Sequence, residues 1–400
     1  MNVVVIAYSC SPGEGSEPGI GWNYVSELSR KNINLTVITR RNNREKIEQE
    51  GLSNIKFIYH DLGSTHLRLK KSIPFALHIY IRNWQRSVYK NIVNNLDVDL
   101  VHHLNLVAFW NIPPFRLLKC PRFIWGPVGI SDTFPWRHLM YLRIGDIFNE
   151  LVLKMIMKIN SLRMSRIRGL SYGLLLRNKS SEVFFDDGIS TLREVLCETG
   201  IKSSEIGMSK TLDPVNLQII CVGRMVYWKG FMLAVKAFEA YINEGGQGKL
   251  SLIGDGPEFS LIRSYIAKNN LGNHVIQLRS VSRETVLTHL KDAHVMLHPS
   301  FRDGAPFAVL EAMSNGVVPV ILNTLGPSDL VSTNTGIILE RSRHLHEIIE
   351  NITKSLFDIV NSPSMYAQKS KDAIDRATEE YTWESHGKHL YEFYKKSMHL

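Results

Sequence analysis

Between residues 217 and 322, short apolar runs alternate with helical stretches at a density that leaves room for little besides a doubly wound α/β domain. The runs LQIICVGR (217–224), KLSLIG (249–254), HVIQL (274–278), HVMLHPS (294–300) and VVPVIL (317–322) read as strands. Helices are expected at Phe231–Asn243, Glu258–Asn269, 283–291 and 306–315. Strands without a polar face, joined by helices, predict a parallel sheet covered on both sides.

The chain opens in the same way. A strand is expected at Val3–Tyr8, a Gly/Pro/Ser loop at Ser9–Gly21, a helix from Trp22 to Arg30 and a second strand at Leu35–Thr39. Lys56–Tyr59, Leu100–His103 and Phe123–Gly126 read as further strands, followed by a long helical stretch over about 134–170. Gly173–Leu176 and Ser181–Phe185 are the last elements expected before a polar stretch, Lys202 to Asn216. A chain of 400 residues accommodates two domains. Two doubly wound units in series create a cleft at the carboxyl ends of their strands, where such folds take ligands.

Charge divides the halves. Residues 1–209 carry 27 Lys and Arg against 18 Asp and Glu, and residues 210–400 carry 20 against 20, so the net charge of +9 sits in the first half. A basic half suits a polyanion or an anionic membrane. Cys10, Cys120, Cys197 and Cys221 show no ligand or disulfide spacing, which fits a reducing compartment. The apolar run after MNVVV is short, has no basic lead and reads as a buried strand, and no stretch approaches the roughly 20 apolar residues of a membrane span. A cytoplasmic protein is expected, peripheral on a membrane face if it meets one.

The segment FRDGAPFAVLEAMSNG (301–316) reads as strand end, loop and helix. Asp303 suits an N-cap, Pro306 the first turn of a helix starting near Ala305, and Gly316 the position after its end. Such a helix start, opening from Gly304, is an anion site through its unpaired N–H groups and dipole. Glu311 lies about two turns into the helix; it grips a ligand together with Asp303, or else Asp303 caps and Glu311 is solvated. In VGRMVYWKGF (222–231), Gly223 precedes Arg224 and Lys229, two cations that could neutralise a diphosphate or simply lie on the surface. The glycines of IGDGPE (253–258) permit a tight turn near ligand, with Asp255 and Gly256 facing it or Asp255 serving the turn.

Together these motifs resemble the retaining GT-B glycosyltransferases of family 4, the glycosyl transferases group 1. Asp303 and Glu311 stand at the E-x7-E signature, with Asp where the family shows Glu. Arg224 and Lys229 stand at GR-x4-KG. The resemblance implies a GT-B fold of two Rossmann-like domains facing across a cleft: 1–209 for the acceptor, 210–378 for the nucleotide sugar, and a C-terminal helix, 379–400, that crosses back. It implies that Arg224 and Lys229 hold the diphosphate, with Gly304, Ala305 and Pro306 at the phosphates. Glu311 then holds the ribose and Asp303 the donor sugar. Arg279 stands where a glycine is common, at the strand exit that holds the base.

The loop SPGEGSEPGIGW (11–22) is similar to a subgroup carrying GSEPGxGW, which puts Gly15 at the donor phosphate and Glu17 at an acceptor hydroxyl, unless both serve a tight turn. His103, or else His102, matches a strand-end histidine near the reacting sugar, with a core histidine as the alternative. WGPVG (125–129) matches the subgroup as a loop lining the cleft, with Trp125 and Gly126 toward the acceptor. Asp97-Val98-Asp99 spells a metal–diphosphate tripeptide of another fold and reads here as turn chemistry, so no metal is expected.

The resemblance thus implies transfer of a sugar from a nucleotide-diphosphate sugar, a co-substrate rather than a cofactor, to a glycan or lipid-linked saccharide in surface polysaccharide biosynthesis. A nucleotide-sugar epimerase or hydrolase, and a non-catalytic polyanion binder, are the other readings. No nucleic-acid motif is present. Arg143, Lys154, Lys158, Arg163, Arg166 and Arg168, set among Leu, Ile and Met, suit a helix lying on an anionic leaflet or a packed helix with a solvated basic face.

Overall fold

The computed structural model describes residues 1–63, 76–105, 112–120, 122–130, 132–164, 173–184, 192–212 and 214–399. They form two compact units. The first comprises Met1–Ile130, Ile156–Glu198 and Trp383–Leu400; the second comprises Ser131–Met155 and Thr199–Thr382.

The first unit runs β1 (Asn2–Ile6), α1 (Ser16–Ser29), β2 (Asn34–Thr39), α2 (Arg44–Gln49), β3 (Ile55–Tyr59), α3 (Ala76–Asn91), β4 (Leu100–His103) and β5 (Phe123–Val128). After α4 (Ile144–Met164), which begins in the second unit, come β6 (Gly173–Leu176) and β7 (Leu192–Val195). Its seven strands lie in the order β3-β2-β1-β4-β5-β6-β7, all parallel. The second unit runs β8 (Leu217–Val222), α5 (Phe231–Asn243), β9 (Gly248–Ile253), α6 (Phe259–Lys268), β10 (Val275–Leu278), α7 (Arg283–Asp292), β11 (Val295–His298) and α8 (Phe307–Ser314). It continues through β12 (Val318–Leu322), α9 (Pro327–Leu330), β13 (Ile337–Leu339), α10 (Leu345–Asn361) and α11 (Pro363–Glu380). Its sheet, β10-β9-β8-β11-β12-β13, is also parallel. Both units therefore carry the doubly wound order, whose central reversal lies between β1 and β4 and between β8 and β11. This is the GT-B fold that the motifs imply.

Several boundaries differ from expectation. Helix α1 begins at Ser16, six residues before Trp22, because its glycines answer to packing rather than to a turn: a Cβ at Gly19 would strike the Glu14 carbonyl, and one at Gly21 the Ser9 carbonyl. Ser181–Phe185 is largely a 3₁₀ helix, Lys179–Phe184, rather than a strand or α-helix, with Phe185 outside the described residues. Residues 132–155 and 199–209 belong to the second unit, not the first.

The last helix, α12 (Trp383–Ser397), lies in the first unit on α1. Tyr24 meets the Trp383 ring edge-on at 5.4 Å, and Gly387 leaves room for the Glu27 side chain.

Candidate functional site

At the β8/β11 reversal, one loop leaves each strand. The β8 loop is stacked backbone to backbone on the β9 loop: Met225 N–H donates to the Asp255 carbonyl at 2.8 Å, and Glu258 N–H to the Met225 carbonyl at 3.0 Å. Side chains at Gly254 and Gly256 would strike the Gly223 and Met225 carbonyls, which explains the glycines of IGDGPE. Gly230 ends this loop at φ +71°, where a Cβ would collide with the Pro299 carbonyl of the β11 loop. Phe301 N–H donates to the Trp228 carbonyl at 2.8 Å and joins the two loops.

That junction brings Lys229 against Asp303. Lys229 Nζ pairs with Asp303 Oδ2, His298 Nε2 donates to the same oxygen at 3.1 Å, and Gly304 N–H donates to Oδ1 at 3.0 Å. Burial alone would raise the Asp303 pKa, but Lys229 and His298 outweigh it and hold the carboxyl well below its usual range. Burial lowers the His298 pKa. A neutral imidazole facing a carboxylate must place its hydrogen on Nε2, so His298 fixes the acid without adding charge.

Contrary to the expectation of an Asp303 N-cap, Asp303 does not cap the helix. Helix α8 starts at Phe307 with Pro306 as N-cap, because Pro306 at ψ 109° is still extended and Asp303 is spent on its own loop. No side chain caps α8, so its first amides point out of the helix without an intrahelical acceptor. At the far end Gly316 N–H donates to the Met313 carbonyl and Val317 N–H to the Ala312 carbonyl, both at 3.0 Å. With Gly316 at φ +67°, this is a Schellman ending, and it confines α8 to eight residues.

Glu311 is neither solvated nor unpartnered. Its Oε1 accepts from Arg283 Nε at 3.2 Å and Nη2 at 2.9 Å, while Arg283 also grips both oxygens of Glu205 at 2.7 and 2.8 Å. Arg283 sits in the first turn of α7, where the helix dipole disfavours a cation; the two carboxylates offset that. Burial raises the Glu311 pKa and Arg283 opposes it. Arg224 is exposed and makes no side-chain hydrogen bond or ion pair among the described residues, so its guanidinium is available. Asp255 serves its turn, accepting from Gly256 N–H at 2.7 Å, and pairs with Arg279 at 3.0 Å, whose guanidinium lies 4.7 Å from the Phe259 ring.

One further acid organises both loops. Glu150, on α4 and fully buried, accepts on Oε1 from the Tyr227 hydroxyl at 2.6 Å and Arg302 Nη1 at 2.8 Å. Its Oε2 accepts from Phe134 N–H at 3.3 Å. The Phe134 ring packs on Tyr227 and Phe301, and Asp132 accepts from Leu325 N–H at 2.7 Å and pairs with Arg341. Residues 132–155 are thereby clasped to the loops that hold Lys229 and Asp303. A cavity of about 650 Å³ between this segment and α5, α6 and α10 reaches Arg224 and Trp228 but not Lys229, Asp303 or Glu311.

The residues expected from the first half fare differently. His103 is buried, with Nε2 3.2 Å from Gln85 Nε2 and Nδ1 3.0 Å from the Tyr89 hydroxyl. His102 is equally buried, between the Tyr394 hydroxyl at 2.7 Å and the Gly126 carbonyl at 2.8 Å. Burial pushes their pKa values down to about 3 and about 4. Both are neutral core residues, and the expectation that one faces a reacting sugar is corrected. Trp125 and Gly126 belong to β5, buried throughout, and do not line a loop; Gly126 is required because a Cβ there would strike the Leu175 carbonyl. Gly15 is exposed with open space where a side chain would go, and Glu17 is partly exposed in the first turn of α1. Asp99 accepts from Asn2 N–H at 2.7 Å and Asp97 from the Asn2 side chain at 3.2 Å, at the amino ends of the strands and away from ligand-binding loops.

His298, Glu205, Arg283 and Glu150 were not foreseen. Only His298 carried a signal, as a polar residue ending an apolar strand beside the reversal.

The two parallel Rossmann-like units have the GT-B fold. Residues 208–373 match the family Glycosyl transferases group 1, and that segment holds Arg224, Lys229, Arg283, His298, Asp303 and Glu311, while Glu150 and Glu205 precede it. The chain is 32% identical to protein CapJ of Staphylococcus aureus over 127 residues, covering 31% of this chain and 32% of CapJ. It is 24% identical to the lipopolysaccharide 1,6-galactosyltransferase of Salmonella typhimurium over 195 residues, 43% of this chain and 54% of that one. The matches thus span about a third and about half of these relatives. Anabaena HepE, solved in complex with UDP, superposes with a TM-score of 0.65 at 13% identity, over 99% of this chain and all of HepE.

Proposed function

We propose that the protein is a glycosyltransferase that moves a sugar from a nucleotide-diphosphate sugar to a saccharide acceptor with retention of anomeric configuration. The observation that carries this is the pairing of Lys229 with Asp303 beside the uncapped start of α8 at the β8/β11 reversal, with exposed Arg224 on the β8 loop and Glu311 one helical turn into α8. Diphosphate oxygens suit the two cations and the α8 amides, and ribose hydroxyls suit the remaining oxygen of Glu311. Asp303, pinned by Lys229 and His298, offers its carboxylate edge to donor-sugar hydroxyls.

In the reaction the bond from the anomeric carbon to the diphosphate breaks, and the acceptor oxygen bonds to that carbon from the same face. The acceptor proton passes to a leaving phosphate oxygen. Lys229 and Arg224 stabilise the charge that grows on the diphosphate. They supply positive charge where a metal would otherwise serve, so transfer proceeds without a metal or other cofactor. Glu17 and the Gly15 loop, rather than Trp125, Gly126 or His103, serve the acceptor. The relatives' names support surface-glycan or lipid-linked acceptors, and nucleotide-sugar supply favours a cytoplasmic site.

The test is a panel of nucleotide sugars incubated with the full chain, with and without a membrane lipid extract, in excess EDTA. Label incorporated into extract from one donor, with nucleoside diphosphate released, is the expected result. Donor turnover without acceptor would instead mark an epimerase or hydrolase, and a requirement for divalent metal would overturn the metal-independent route.

A further inference from the structure

We infer that residues 136–155 form a docking surface for an anionic lipid bilayer. On α4, Ile144, Phe148, Leu151 and Met155 are exposed, and their spacings of four, three and four place them on one helical face. Met140 and Trp136, on the 3₁₀ helix Trp136–Tyr141 just before, are exposed as well, so six large apolar side chains stand 44 to 88% open to solvent. Scattered single residues of this kind are ordinary; a row of six along one continuous segment is the mark of an interaction surface.

The row is not a by-product of loose packing. The buried side of the same segment is tied down by Phe134, His138 and Glu150, and Lys154 Nζ lies 3.7 Å from the Trp136 ring, steadying the indole. Charge identifies the occupant. Arg137 and Arg143 are exposed along the row, while of the two carboxylates in the segment, Asp146 and Glu150, the second is paired inward with Arg302. Apolar side chains flanked by cations and an interfacial Trp match acyl chains beneath anionic headgroups. Two copies meeting through this face would bring like charges together, which disfavours a homodimer. Among the described residues no helix is long and apolar enough to cross a membrane, so the helix would lie in the interface plane.

This surface lies outside the donor loops, and its test does not depend on transfer. The full chain would be sedimented with phosphatidylcholine vesicles, with or without about 30% phosphatidylglycerol, at about 50 mM salt where attraction is little screened. The wild-type protein is expected to pellet with the anionic vesicles only. The double variant Ile144→Ser/Phe148→Ser, which alters no charge, is expected to lose at least about tenfold in partitioning, and Arg137→Gln/Arg143→Gln to lose a similar factor. Circular dichroism and nucleotide binding of both variants should match the wild type, since these side chains are exposed. Absence of wild-type binding, or unchanged partitioning of the Ile144/Phe148 variant, overturns the assignment. So does a wild-type dimer in light scattering that the same variant dissolves while vesicles capture nothing.

Discussion

Arg283 Nη2 and Glu311 Oε1 meet at 2.9 Å from the first turn of one helix to the middle of another, 28 residues on. Because Arg283 also holds Glu205, the guanidinium cannot swing away without breaking two ion pairs. Glu311 is therefore held in one orientation, with Oε1 committed.

Glu311→Gln is expected to weaken nucleotide-sugar binding about tenfold or more, the loss of a charge-assisted hydrogen bond of roughly 1.5–3 kcal/mol. Arg283→Ala should do the same by releasing the acid rather than removing it. Calorimetric titration of nucleoside diphosphate measures both, and unchanged affinity in Glu311→Gln would detach this residue from the ribose.

Lys229→Ala should lower kcat by about 10²–10³-fold, the scale of removing one preorganised charge from a developing anion. It also strips Asp303 of its cation. In the wild type the depressed Asp303 pKa contributes stability that is present above the ordinary carboxyl range and is lost only as pH falls through the lowered value. The variant should begin losing stability at higher pH than the wild type, as acid titration followed by circular dichroism would record.

Glu150→Gln should destabilise the fold by about 3 kcal/mol, because Arg302 keeps its charge in a nearly closed site while its partner becomes neutral. Transfer activity should fall with it, since Tyr227 and Arg302 flank Lys229 and Asp303. Urea unfolding and a transfer assay on the same preparation would show whether stability and rate move together.

The two strand-end histidines predict a pH dependence of their own. Folded values of about 4 for His102 and about 3 for His103 lie below the ordinary 6.5, so the unfolded chain binds the extra protons. Stability is full above about pH 6.5 and declines toward pH 4, by up to about 1.4 kcal/mol per pH unit for each histidine. A plot of unfolding free energy against pH should lose about one proton of slope in His103→Asn.

The alternation of strands and helices made most of both sheets legible, since period and length survive in local sequence; the edge strands β7 and β13, four and three residues long, were missed because runs that short carry little periodicity. In the second unit the strand from 217 and the helix Phe231–Asn243 lie where expected. Asp303, Glu311, Arg224 and Lys229 were visible as residues, but not who holds them. Glu205 stands 78 positions from Arg283, and Glu150 stands 152 from Arg302, so neither pairing leaves a local pattern. The same distance hid the allegiance of residues 132–155, whose isolated Asp132, Phe134 and Glu150 acquire meaning only against loops far downstream. Trp125 and His103 misled for the opposite reason: motif position suggested a ligand, while strand burial decided their role.

Helix α8, bounded by Pro306 and by the Schellman turn at Gly316, works as a ruler. One helical turn, about 5.4 Å of rise, separates its first amides from Glu311. A residue inserted between Phe307 and Glu311 would swing the carboxylate through about 100° and away from Arg283, whereas the same insertion between Ala312 and Gly316 would leave that spacing intact. Length variation on this helix should therefore be tolerated beyond Glu311 and forbidden before it, even though the tolerated end is the one already closed by glycine.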